Sequence, residues 1–391
     1  MIFTELRFVL LVVFCWGSFL FVPARHRLLV LAVWGGVFYG MFAGRYLPLV
    51  MVFVVITYLL TTGRAIWVLA ASLGLVLVDF KLGADPIWFA KWLLAAAPES
   101  AAAALVLPLG FSFLVFELLH VAIDHYRGRI AGTRLDEILA FSFFFPCRVA
   151  GPIKRYPQFL EAVRLAAPCW ENSYGGIVRI LVGLFKKLVL ADVLSLTVPE
   201  MAYAATPAHA WRALLAFSLS IYLDFSAYSD VALGTSRLFG IKIPENFRWP
   251  YLSPNIQEFW NRWHISLSSW ARDYVFTPTG HRLFKTRLKR LPTLIAAASY
   301  LLTFLLIGAW HGLTPGFLVW GAYHGLLLTV YYVWRTRLPA AFAKSSFYQS
   351  RIATIAGTVL TFLLVTLGWL PFTMELPRAA HLLTIILGVS K

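Results

Sequence analysis

Long apolar runs, separated by only a few polar or basic residues, fill this chain from Phe8 almost to its end, and they leave the backbone few options. A backbone surrounded by hydrocarbon must satisfy its own hydrogen bonds, so helices or closed barrels are the only spanning structures. The runs show no two-residue alternation, and helices follow. Hydrophobic residues make up 60% of the 391 and charged residues only 13%, about half the charged share of an ordinary soluble domain. A multi-pass membrane protein in one domain spanning 1–391 is the expectation.

The spacing predicts short helices at 8–24, 28–43, 47–61 and 65–79, several below the roughly 20 residues of a straight crossing. A polar interruption at Lys81–Pro86 and an alanine-rich stretch at Ala95–Ala104 follow. The run Leu105–Ile123 carries Pro108, Glu117 and His120, and another run, Leu135–Phe145, ends at Pro146. Next comes Gly151-Pro-Ile-Lys-Arg-Tyr-Pro157, whose paired X-Pro steps predict a re-entrant or interfacial loop. Further spans fall at 175–197, 210–235, 294–309, 317–333, 352–370 and 379–389, giving ten to eleven membrane segments. The first run, Phe8 to about Ala24, has no small-residue cleavage site after it and reads as a retained span.

A formal charge of +16 invites a nucleic-acid reading, but the basic residues punctuate apolar runs instead of forming a patch of their own. Arg25, Arg27, Arg45, Arg64, Arg127, Arg129, Lys154, Arg155, Arg335 and Arg337 sit near run ends, as cytoplasmic loops facing anionic lipid require. Nucleic acid is therefore excluded as a partner, and membrane lipid takes its place. Cys15, Cys147 and Cys169 lack the paired spacing of a zinc or redox site. No His-Glu-x-x-His, phosphate-binding loop or Gly-x-Ser-x-Gly elbow occurs, so metal, nucleotide and serine-hydrolase chemistry lose their usual signatures.

Ser253–Pro278 differs in kind. It mixes Trp260, Trp263 and Trp270 with Glu258, Arg262, His264, Arg272 and Asp273, which predicts an amphipathic helix over Ser253–Tyr274. Ser253 would cap it, Pro254 suits its first turn, and Pro278 marks where it must have ended. Glu258 and Arg262 are spaced to pair on one face, as are Trp260 and His264. The basic run His281–Arg290 reads as a cytoplasmic loop, with attraction for a phosphorylated donor as a sharper alternative.

Ionisable groups inside apolar runs need a partner, a water-filled cavity or a purpose. His311 closes an uncharged run beginning near Leu291, between Gly308 and Gly312, where backbone or substrate can approach closely. Its side chain can exchange a proton near neutral pH, and it can equally be a hydrogen-bonded packing histidine. His264 is either an interfacial surface residue or a working one, and a structural role is favoured for His324.

Three stretches then carry a resemblance: Asp224-Phe-Ser-Ala-Tyr-Ser-Asp230, Gly240-Ile-Lys-Ile-Pro-Glu-Asn-Phe247, and Gln257-Glu-Phe-Trp-Asn-Arg-Trp-His-Ile-Ser-Leu-Ser-Ser-Trp-Ala-Arg-Asp-Tyr274, continued by Trp310-His-Gly312. Together they are similar to the membrane-bound O-acyltransferase family, in its bacterial branch acting on cell-envelope polymers. Weaker similarity at Leu107–Phe113 and Val149–Tyr156 extends the matching core to about 105–335.

The resemblance implies an all-helical ring around a thinned central tunnel, in which a cytoplasmic acyl donor meets an acceptor from the other side. It implies His311 and His264 as catalytic residues. Trp310, Asn261, Arg262, Trp263, Ser266, Arg272, Asp273 and Asp224 are its candidates for substrate binding. No tightly bound cofactor is implied, only an acyl thioester, acetyl-CoA or an acyl carrier protein. The expected activity is transfer of an acyl group, acetyl first and D-alanyl second, toward a polysaccharide hydroxyl at the inner membrane, through a periplasmic or extracellular acyltransferase partner. A transporter or channel is the alternative from another class.

Overall fold

The computed structural model describes residues 2–59, 72–75, 109–339, 341, 344–346 and 348–389. The expected helix at 65–79 falls almost wholly outside them, as do the interruption at 81–86, the alanine-rich stretch and the start of the 105–123 run with Pro108. Among the described residues the elements are helices and turns, without strands.

Among the described residues, four segments are long and apolar enough to cross a membrane: Ala24–Leu59, Pro292–His311, Pro315–Arg337 and Arg351–Thr373. The first is two helices, Arg27–Ala43 and Leu47–Leu59, joined by a tight turn at Gly44–Tyr46. The expected segments at 210–235, 294–309, 317–333, 352–370 and 379–389 are helices at Pro207–Leu238, Pro292–His311, Pro315–Arg337, Arg351–Gly368 and Leu376–Ile386. Where apolar periodicity is long, it decides the element.

The chain divides into two compact units: Met1–Gly183 with Tyr228–Pro244, and Leu184–Ala227 with Glu245–Lys391. In the first unit, Leu135–Phe143 is a helix, and the Gly-Pro stretch that follows runs without regular structure until Tyr156–Arg164 begins. Pro157 opens that helix from its first turn, where its missing N–H costs nothing. Glu117 is buried between Arg148, at 3.3 Å, and Lys154. Arg148 also donates to the carbonyls of Ser142 and Gly110, each at 2.7 Å. Gly110 has φ +63° and lies so close to Arg148 that a Cβ would strike its carbonyl oxygen. His120 accepts the Tyr156 backbone N–H at 2.9 Å.

In the second unit, the expected single helix Ser253–Tyr274 is corrected to a broken one. It runs Ile256–Arg262, interrupts at Trp263–His264, resumes over Ile265–Ala271 and widens to a π-turn at Arg272–Phe276. The interruption has a local cause: His264 sits in the left-handed region at φ 44°, which no helix tolerates. Trp260 and His264 therefore do not share one helical face.

Asn255, not Ser253, is the cap, with its carboxamide oxygen accepting the Glu258 N–H at 2.9 Å. Pro278 ends nothing either; it stands in the first turn of the next helix, Thr277–Phe284. That helix takes in the start of the basic run expected as a loop, and Arg287–Arg290 forms a further tight turn. Glu258 and Arg262 do pair as spaced, at 3.6 Å.

Candidate acyl-transfer site

The left-handed turn at His264 is held by a residue eighteen positions earlier in the chain. Buried Asn246 accepts the Ile265 N–H through its backbone carbonyl at 2.9 Å, and its side-chain oxygen accepts the Ser266 hydroxyl at 2.8 Å. The Ser266 N–H reaches the same oxygen at 3.3 Å. These bonds offset the cost of a non-glycine residue at positive φ. Asn246 lies inside a stretch quoted above yet was not singled out; an asparagine just after Pro-Glu gave no local hint that its partner lay beyond a helix.

So held, His264 is buried with its ring 4.7 Å from Phe225 and 6.3 Å from Trp310. Trp310 in turn lies 4.6 Å from the His311 ring. The two histidines thus share one indole. Burial, and next to it the proximity of His311, lowers the His264 pKa from its ordinary value, so its imidazole is neutral at physiological pH.

His311 is the last residue of Pro292–His311, half-buried among Phe317, Trp320 and Phe372 at 6.0, 5.4 and 5.0 Å. The glycines around it allow the Pro315–Arg337 helix to close in. A Cβ on Gly308 would strike the Phe317 carbonyl at 2.3 Å, and one on Gly312 the Phe317 ring at 2.4 Å.

One turn before His311, Ile307 lines a 250 Å³ cavity. One wall is polar, with Gln257, Asn261, Ser268, Ser269 and Arg272; the other is apolar, with Tyr300, Phe304 and Leu328. Phe372, whose ring contacts that of His311, lines a 380 Å³ cavity with Phe217, Met374 and Arg378. Both cavities have a wall residue that either contacts His311 or stands one helical turn from it.

Of the residues expected from the sequence, the structure brings His264, Trp310 and His311 into one cluster and puts Asn261 and Arg272 on one cavity wall. Trp263 is buried among Tyr222, Phe247 and Trp369. Ser266 is engaged with Asn246, and Arg262 with Glu258. Asp273 is exposed beside Arg272. Asp224 pairs with Lys187 at 2.7 Å, and Lys187 with Asp192 at 2.8 Å. Gln257, Ser268 and Ser269 were missed. Gln257 and Asn261 are four apart, as are Ser268 and Arg272, and that spacing was the available signal.

Long apolar helices, with no strand among the described residues, mark a helical membrane protein. Residues 51–367 match MBOAT, the membrane-bound O-acyltransferase family, and the chain belongs to it. It is 37% identical over 274 residues to a Pseudomonas fluorescens protein named probable alginate O-acetylase, covering 69% of this chain and 52% of that one. It is 32% identical over 282 residues to the teichoic acid D-alanyltransferase of Bacillus subtilis, covering 68% of each. To the peptidoglycan O-acetyltransferase of Helicobacter pylori it is 30% identical, covering 68% of this chain and 54% of that one. The chain spans about half the length of the alginate-type relatives it matches.

Proposed function

We propose that this protein is a multi-pass inner-membrane O-acyltransferase. It moves an acetyl group from a cytoplasmic thioester, acetyl-CoA, toward hydroxyls of a cell-envelope or exported polysaccharide, with a periplasmic or extracellular acyltransferase partner on the acceptor side. The ten to eleven membrane segments and the ring around a thinned tunnel belong to this proposal. The observation that carries it is His311, ringed by aromatic groups, with one cavity lined by Ile307 a helical turn before it and another lined by Phe372 against its ring, a setting suited to a donor and an acceptor that enter separately.

The cavity lined by Asn261 and Arg272 suits the donor, because its polar wall can hold amides while its apolar wall receives the thioester arm. Phe276 at its edge leads into the basic segment His281–Arg290, whose charge attracts a phosphorylated donor. His311 takes the proton from the acceptor hydroxyl as its oxygen bonds to the thioester carbonyl carbon. The carbon–sulfur bond then breaks, and the departing thiolate receives that proton from His311. His264, neutral and sharing Trp310 with His311, positions or polarises a reactant without setting a second positive charge beside the first.

D-alanyl transfer from a carrier protein is the second reading, favoured by the match that covers 68% of both this chain and the D-alanyltransferase. Purified protein in vesicles, given labelled acetyl-CoA or D-alanyl carrier protein in turn, separates the two. Acetyl transfer to a hydroxyl acceptor is expected. Transfer from the carrier alone selects the second reading, and solute passage with no transfer from either donor points to a transporter.

A further inference from the structure

His324 has no part in the site as described, yet it is the most unusual polar group beside it. It is fully buried in the Pro315–Arg337 helix, and neither ring nitrogen has a hydrogen-bond partner among the described residues. Its ring lies 5.1 Å from that of Trp260 and 4.9 Å from that of Trp320, and the two indoles are 5.9 Å apart. Both indole N–H groups also lack a partner, so one closed triangle of rings holds four unmatched polar nitrogens. Each such group costs about 1–3 kcal/mol when left unmatched. A residue kept only for packing would be phenylalanine or leucine.

The hydrogen-bonding inventory of the triangle is specific. A neutral imidazole has one donor and one acceptor, and each indole adds a donor. One water molecule can accept both indole N–H groups and donate to one imidazole nitrogen, which makes three of the two to four polar partners that an internal water needs.

The triangle also has a position that matters. Trp260 lines the cavity assigned to the donor, and Trp320 lies 5.4 Å from His311. The Gly368 backbone presses on the far side, where a Cβ would stand 2.9 Å from His324 Nε2. The ring therefore has little room to turn.

We propose that His324 is a positioning residue for acyl transfer: through one internal water bonded to the Trp260 and Trp320 indole N–H groups, it fixes the ring that orients His311 and the wall that receives the donor. It makes and breaks no bond itself. The inference rests on the acyl-transfer reading of His311.

His324→Phe tests it, because phenylalanine keeps the ring contacts and removes both nitrogens. The expected result is a kcat lower by on the order of tenfold to a hundredfold, with midpoint of thermal unfolding near wild type and donor KM little changed. His324→Gln, which restores one donor and one acceptor, should recover part of the loss. Trp320→Phe removes an indole N–H without overfilling the space, and it should lower kcat in the same way even if His324→Phe folds poorly. Wild-type kcat in His324→Phe or Trp320→Phe would overturn the inference. So would losses that simply follow the unfolding midpoint, with no advantage for His324→Gln. His311→Ala runs alongside: if it is inactive while the triangle variants are normal, only this inference fails, and if it is active, the reading beneath it fails.

Discussion

Two buried polar clusters in this protein are built on opposite plans. In the first unit, Glu117 meets Arg148 and Lys154, Arg148 meets two carbonyls besides, and Lys154 lies over the Phe141 ring at 4.8 Å. His120 beside it accepts a backbone N–H. In the second unit, His264, His311 and His324 are surrounded chiefly by rings, and neither His324 nitrogen has a hydrogen-bond partner among the described residues. Matched charges immobilise a fold; imidazoles set among aromatic groups are not placed to brace it. The first cluster is built as a brace, and the second is where the proposed chemistry falls.

That distinction predicts different penalties. The largest concerns the brace: Glu117→Ala leaves two buried cations without their carboxylate, which costs about 3–5 kcal/mol. Thermal unfolding in detergent should show it, and protein that still folds should keep its donor KM. A variant as stable as wild type but impaired in donor binding would reverse the roles assigned to the two clusters.

Asn246→Ala should be next, costing about 1–3 kcal/mol by stranding the Ser266 hydroxyl and releasing the turn that presents His264. Its kcat should fall further than its stability explains. Equal turnover per folded molecule would show that the left-handed turn holds without Asn246.

The third contrast is in pH. Burial lowers the His264 pKa in the folded state, so the unfolded chain binds the extra proton, and stability is full above the ordinary histidine value and declines below it. Going from about pH 7.5 to about 5.5 should cost ~1.4 kcal/mol for this residue, taking an unfolded pKa of about 6.5. His264→Gln should show a smaller acid loss than wild type. An identical acid loss in both would mean that His264 is charged or water-exposed in the folded protein.

The smallest effect should come from the cavity wall. Arg272→Gln removes one exposed cation from the donor cavity and should raise donor KM several-fold at low salt, by roughly 1 kcal/mol or less, with kcat nearly unchanged. If added salt leaves the difference intact, Arg272 does not act through charge.

The sequence made the spans legible because each apolar run is long enough to outvote local detail, as in Pro292–His311 and Pro315–Arg337. It also made the Trp-His-Gly turn legible, since two glycines flank a histidine at the end of an uncharged run. The break at His264 was not legible. Its apolar and polar residues continue helically on both sides, and the left-handed turn is imposed by Asn246 from a distant loop. The cavity wall was half legible: the family resemblance put forward Asn261 and Arg272, whereas Gln257, Ser268 and Ser269 needed the helix register. The ring triangle was invisible, because Trp260, Trp320 and His324 come from two helices whose meeting no local pattern announces.

If His311 carries the proton of the transfer, removing its imidazole must show in a single comparison. Wild type and His311→Ala, purified to equal folded amounts with equal donor binding, are assayed for transfer of labelled acetyl to a hydroxyl acceptor. Loss of general-base help predicts turnover lower by about 10²–10⁴. Turnover within a few-fold of wild type would contradict the account.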